Sequence, residues 1–100
     1  MRMLEYNVLI DQDVVEAKTA SGLYIPEEAL ERKKHQQTLG VIVKISPMAF
    51  SFDDWPMGVA KPRVGDRVAF AQHAGTFIKD AAGKEFRVVK DKDIVAVLDV

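Results

Sequence analysis

A chain of 100 residues makes one domain with room for a single core, and 48% apolar residues supply the means to pack it. With 14 basic and 15 acidic residues the net charge is −1, so no global field holds a polyanion and nucleic acid is not the expected partner. Cysteine is absent, which excludes disulfides, thiolate metal sites and cysteine nucleophiles, and no apolar run nears the roughly 20 residues that span a bilayer.

The first residues show no basic stretch leading into an apolar one, as a secretory signal would, so the expected compartment is the cytoplasm. Asn7-Val8-Leu9-Ile10 is a continuous apolar run. It suits a strand covered on both faces, or one that finds a second cover in another subunit.

From about Lys18 to Thr38 the strand pattern stops. Lys18 to Gly22 is small and turn-prone, Leu23-Tyr24-Ile25 is apolar, and Pro26 follows. Residues 27–37 favour helix, with Glu27 and Glu28 early and Arg32, Lys33 and Lys34 late, as the helix dipole prefers. Only Ala29 and Leu30 offer a face to bury, and so short a helix is marginal without one. The stretch therefore reads as a long mobile loop with transient helix. Three large apolar side chains on a polar loop need a cover. Composition leaves two covers level: their own barrel, or a partner's groove.

Leu39 to Ile45 returns to period two, with apolar odd positions expected on the core. Pro47 to Pro62 can be folded about Asp53-Asp54 as a hairpin. Phe52 then pairs with Trp55, Phe50 with Met57 and Met48 with Val59, placing all six on one apolar face. Val64-Gly65-Asp66, Asp80 to Gly83 and Lys90 to Asp93 are turns. Between them, Arg67 to Ala71 is a short strand with Val68 and Phe70 inward. Phe86 and Val88 face the core, alternating with Glu85 and Arg87. Ile94 to Leu98 is a second fully apolar run. The pattern predicts a single all-β domain, a small irregular barrel spanning residues 1–100.

Candidate chemistry is sparse. His35 and His73 lack carboxylate or imidazole partners at ligand spacing, so solvated histidines outweigh a metal site. Asp53-Asp54 is explained by turn propensity. No nucleophile elbow, P-loop or dinucleotide fingerprint occurs, and no enzyme is expected. Arg32 to His35 is a basic cluster with no aromatic residue interleaved to stack bases. It supports the alternative function, a small barrel that binds RNA or ribosomes.

Ser21-Gly22-Leu23-Tyr24-Ile25-Pro26 resembles the Gly-Gly-aliphatic-aliphatic-aliphatic-Pro motif in the mobile loop of GroES-type co-chaperonins, the ten-kilodalton chaperonin family. Thr38 to Val43 is similar to the strand after that loop. Val64-Gly65-Asp66-Arg67-Val68 resembles the family's Val-Gly-Asp-x-Val turn, Ala74-Gly75-Thr76 its Gly-Gly-Thr, and Asp93-Ile94-Val95-Ala96 its Asp-Ile-Leu-Ala. The resemblance implies a barrel that assembles into a heptameric ring and caps an ATP-driven chaperonin, assisting the folding of enclosed client proteins. It implies docking through residues Ser21 to Pro26. It also implies a protruding roof hairpin over about 47–62, carrying Met48, Phe50, Phe52, Trp55, Met57 and Val59. Subunit contacts would involve Val8, Leu9, Ile10, Ile94, Val95, Val97 and Leu98. The partner is a GroEL-type chaperonin ring; ATP binds there, so this chain needs no cofactor, metal, nucleic acid or membrane. Met3 stands for the family's Pro, Tyr6-Asn7 for Asp-Arg, His73 for Tyr, and Tyr24 is unusual in the triplet. Such departures suit a virus-encoded member, whose compartment would be the host cytoplasm.

Overall fold

In a computed structural model, the described residues are 1–14, 26–51 and 55–98. Among these residues six strands form one antiparallel sheet: β1 (Asn7–Gln12), β2 (Leu39–Ile45), β3 (Arg67–Phe70), β4 (Thr76–Lys79), β5 (Glu85–Lys90) and β6 (Ile94–Val97). One helix, α1 (Glu27–Gln36), lies between β1 and β2, and a short 3-10 turn, Asp91–Asp93, precedes β6. The strand order is β4-β5-β1-β2-β3-β6, which agrees with the expected small barrel-like all-β fold. No described helix is long and apolar enough to cross a membrane.

Burial on both faces of the sheet explains the continuous apolar run in β1. Val8 and Ile10 enter the main core with Ile42, Phe50, Val68, Phe70 and Val89. Leu9 points the other way, into a smaller cluster with Met3 and Phe86. Val68 and Phe70 are buried as expected.

Two alternation readings are corrected. In β2, Ile42 rather than an odd-numbered neighbour is sealed in the main core. The pairing with β1 runs Lys44 to Leu9 and then Ile42 to Ile10, leaving Val43 as an extra residue. This bulge shifts the pleat by one, so Ile42 and Ile45 both reach the main core while Val43 joins the smaller cluster. In β5, Phe86 and Val88 do turn to an apolar cluster, but it is the smaller one. Arg87, expected outside, is 1% exposed.

Close approach rules out a side chain at Gly40, where a Cβ would stand 2.6 Å from Ile10 Cγ2 and 2.8 Å from the Asp11 carbonyl oxygen. Gly75 is tighter still. Its φ is +71°, and a Cβ would lie 1.8 Å from the Val88 carbonyl oxygen. The expected turns are present: Asp66 N–H bonds Arg63 O at 3.0 Å, and Asp80 Oδ1 accepts from the Ala82 and Lys84 N–H groups.

The stretch expected as a hairpin, 47–62, departs from the expected pairing where it is described. No strand occurs among the described residues of that stretch. Phe50 adopts φ +59° and is 4% exposed in the main core, with its N–H donating to Asp91 Oδ2 at 3.0 Å. A left-handed residue breaks the two-residue period, and Phe50 is buried while Met48, Met57 and Val59 are exposed, so these four do not share a face. Trp55 sits edge-on to Phe50, ring centroids 6.2 Å apart, and donates from Nε1 to Val59 O. Met48 and Val59 are exposed and Met57 is 99% exposed, while Phe52 and Asp53-Asp54 lie outside the described residues.

Candidate functional site

Residues 27–36 form α1, with acidic side chains in its first turn and basic ones in its last, as its sequence anticipated. Ser21, Gly22, Leu23, Tyr24 and Ile25 lie outside the described residues. Pro26 is described: it is exposed, extended, and its carbonyl accepts the first helical bond from Leu30 N–H at 3.0 Å.

The two stems of that segment are joined at the barrel. Asp13 N–H donates to Leu39 O at 2.9 Å, and the Asp13 carboxylate takes both guanidinium nitrogens of Arg67, one at 2.9 Å. That hydrogen bond raises the Arg67 pKa. From the other stem, Gln37 Nε2 reaches Asp13 O at 3.5 Å, and Gln12 Nε2 reaches Lys34 O at 3.3 Å.

α1 buries no side chain fully, yet it is short, and its N-terminus has no side-chain cap. Its C-terminal end supplies the missing support. Arg87 donates from NH2 to His35 O at 3.1 Å and from NH1 to Gln37 O at 2.8 Å. The same guanidinium reaches Gln12 Oε1 and Ala74 O, and it stacks on Phe70 and Phe77. Helix-end carbonyls lack intrahelical donors and carry the negative end of the dipole, so a buried cation there is doubly matched. Burial nevertheless pushes the Arg87 pKa below its usual value, against the opposing pull of Asp93.

The basic cluster does not act as one patch. Lys34 Nζ pairs with Glu85 at 2.6 Å and Glu31 at 3.5 Å, and the bond to Glu85 is the chief cause of its raised pKa. The His35 ring lies edge-on to Phe77 at 4.8 Å, leaving Arg32 and Lys33 exposed. Nothing in this arrangement favours the RNA-binding alternative. Among the described residues no group of three or more potential metal ligands gathers, and both histidines are exposed.

The expected subunit contacts divide. Val8, Leu9 and Ile10 are buried within one chain, and β1 is paired on both edges, to β2 and β5. With both edges paired inside the chain, β1 leaves no backbone edge open for strand pairing with another subunit. β6 differs. It pairs with β3 on one side only and ends the sheet. Val95 is 67% exposed and Val97 is also exposed, while Ile94 packs on the core and Leu98 is half-buried, its N–H donating to Arg67 O.

Sequence reasoning missed Arg87, Asp91 and the Asp13–Arg67 pair. The one available signal was a cation inside the apolar run Phe86-Arg87-Val88-Val89, where strand pleating alone allows either face.

Comparison with known proteins supplies what geometry does not. The model of a family described as "Chaperonin 10 Kd subunit" matches residues 1–98. Similar curated proteins include three named Co-chaperonin GroES. That of Corynebacterium diphtheriae is 34% identical over 100 residues, covering 99% of this chain and 94% of its own. That of Parvibaculum lavamentivorans is 35% identical over 98 residues, covering 98% and 88%. The Syntrophomonas wolfei protein is 36% identical over 89 residues, covering 87% and 84%.

Proposed function

The chain belongs to the chaperonin 10 kDa subunit family and has a co-chaperonin role, and on that premise we propose that it docks a GroEL-type chaperonin through Ser21 to Pro26. The observation that carries this is the joined stem. Asp13, Arg67, Gln12 and Gln37 tie both ends of the segment to the sheet, so an apolar triplet is presented from a fixed base. Docking requires no chemistry from this chain; ATP is bound and hydrolysed by the partner, and enclosed client proteins are the beneficiaries.

Burying Leu23, Tyr24 and Ile25 yields about 1.5 to 3 kcal/mol each. Ordering their backbone costs about 1 to 2 kcal/mol per residue, so one segment binds weakly. Several copies in a ring overcome this, because one docked segment holds the others at high effective concentration. The ring reading, seven copies, draws support from the open edge of β6 with Val95 and Val97. Met1 and Leu4, exposed ahead of β1, take the N-terminal share that Val8 to Ile10 cannot. The compartment is that of the chaperonin, the cytoplasm.

The test is capture by a GroEL-type chaperonin with and without ATP, using wild type and the Leu23→Ser/Ile25→Ser double variant. Wild type is captured with ATP and the variant is lost, while its native mass and thermal midpoint stay unchanged. Capture of the double variant at wild-type strength rules out the docking segment.

A further inference from the structure

α1 poses a physical puzzle: a ten-residue helix with no buried side chain and no N-terminal side-chain cap still holds a defined place. Its anchorage lies at one end. Arg87 takes the His35 and Gln37 carbonyls, Gln12 takes that of Lys34, and Lys34 pairs with Glu85. Along its middle a cavity of about 370 Å³ opens between the helix and the β4–β5 hairpin, lined in part by Val14, Leu30, Lys34, Phe77 and Glu85. The helix is therefore latched by polar groups at its C-terminus and loosely packed elsewhere.

We propose that Arg87 is a positioning residue for chaperonin docking, holding α1 against the sheet so that the docking segment is tethered at Pro26 rather than at Gln37. The inference rests on the docking role of Ser21 to Pro26. With α1 latched, about 12 residues separate Asp13 from Pro26; with α1 released, about 23 separate Asp13 from Gln37. The effective concentration of a tethered segment falls roughly as the three-halves power of its length, so doubling the tether weakens each docking event about threefold. The latched helix also acts as a strut of about 15 Å, at 1.5 Å per residue, which fixes where the segment leaves the barrel.

Arg87→Lys keeps the charge but loses the planar fork that spans two carbonyls. In the full chain, hydrogen exchange should quicken in α1 while β1 and β3 keep their protection, and capture with ATP should weaken at least threefold. Arg32→Pro breaks α1 ahead of that latch without touching the core, because Arg32 is exposed and proline breaks a helix interior, and the tether then runs about 19 residues, weakening each docking event about twofold. Arg32→Ala, with the same loss of charge, should bind as wild type. Faster α1 exchange with undiminished capture in Arg32→Pro overturns the proposal, and so does Arg87→Lys with unchanged α1 exchange. Should Arg87→Lys fail to fold, Arg32→Pro decides alone, since capture equal to that of Arg32→Ala refutes positioning by α1. Loss of capture in Leu23→Ser/Ile25→Ser keeps the docking role separate from either result.

Discussion

Asp91 offers the sharpest perturbation of the fold beneath the expected roof. Its carboxylate is buried, and Oδ2 accepts the Phe50 N–H at 3.0 Å, while its own N–H donates to Tyr6 O at 2.8 Å. Phe50 is a bulky residue held at φ +59°, a conformation that costs about 1 to 2 kcal/mol and persists only when something over-determines it. Asp91→Ala removes a bond to a charged acceptor, worth about 1.5 to 3 kcal/mol, and leaves a buried N–H without a partner. Part of the Phe50 burial, about 1.5 to 3 kcal/mol in full, goes with it as the backbone relaxes. The expected loss is about 2 to 4 kcal/mol. At a urea slope of about 1 to 3 kcal/mol per molar, the unfolding midpoint should drop by roughly 0.7 to 4 M, measured at fixed protein concentration. Trp55, edge-on to Phe50, should shift its native emission to the red. Asp91→Asn keeps an acceptor oxygen and should lose only about 1 kcal/mol. An Asp91→Ala midpoint within about 0.3 M of wild type refutes the reasoning, as does Asp91→Asn falling equally far.

Gly75→Ala should abolish the folded barrel, because the new Cβ meets the Val88 carbonyl oxygen at 1.8 Å and the residue needs φ +71°; circular dichroism of the purified variant checks this against Gly83→Ala, whose Cβ meets nothing and which should still fold, losing only the about 1 to 2 kcal/mol that φ +85° costs an alanine. Lys34 gives α1 a pH signature. Its folded pKa is raised above the usual lysine value of 10.5 by the bond to Glu85, so its contribution is complete below 10.5 and is lost as pH climbs through the raised value. The NMR methyl signals of Leu30 should report release of the helix in that alkaline window, and Lys34→Met should show a partly released helix already at neutral pH with no further step.

The turns, the end-charged helix and most of the strands were legible because each depends on local chemistry, whereas β4 went unread. Val64-Gly65-Asp66 and Asp80 to Gly83 carry their own turn-forming residues, and α1 shows acidic and basic ends whatever surrounds it. The fully apolar stretch Val8-Leu9-Ile10 announced a strand covered on both faces. It could not say whether that cover came from the same chain, and β5 and β2 on its two edges decided the matter. Faces, by contrast, depend on register, and a single bulge reverses them: Val43 inserted opposite β1 sends Ile42 into the core. Likewise Phe50 reads as one beat of an alternating strand until Asp91, 41 residues away, draws its N–H into the barrel. Arg87 is the clearest case. A strand's period says only that it points opposite to Phe86. Whether that side meets water or the carbonyl end of a helix is set by where residues 35–37 arrive in space. Long-range contacts of that kind are energetically strong because both partners leave water together, and they leave no mark on the local pattern of either segment.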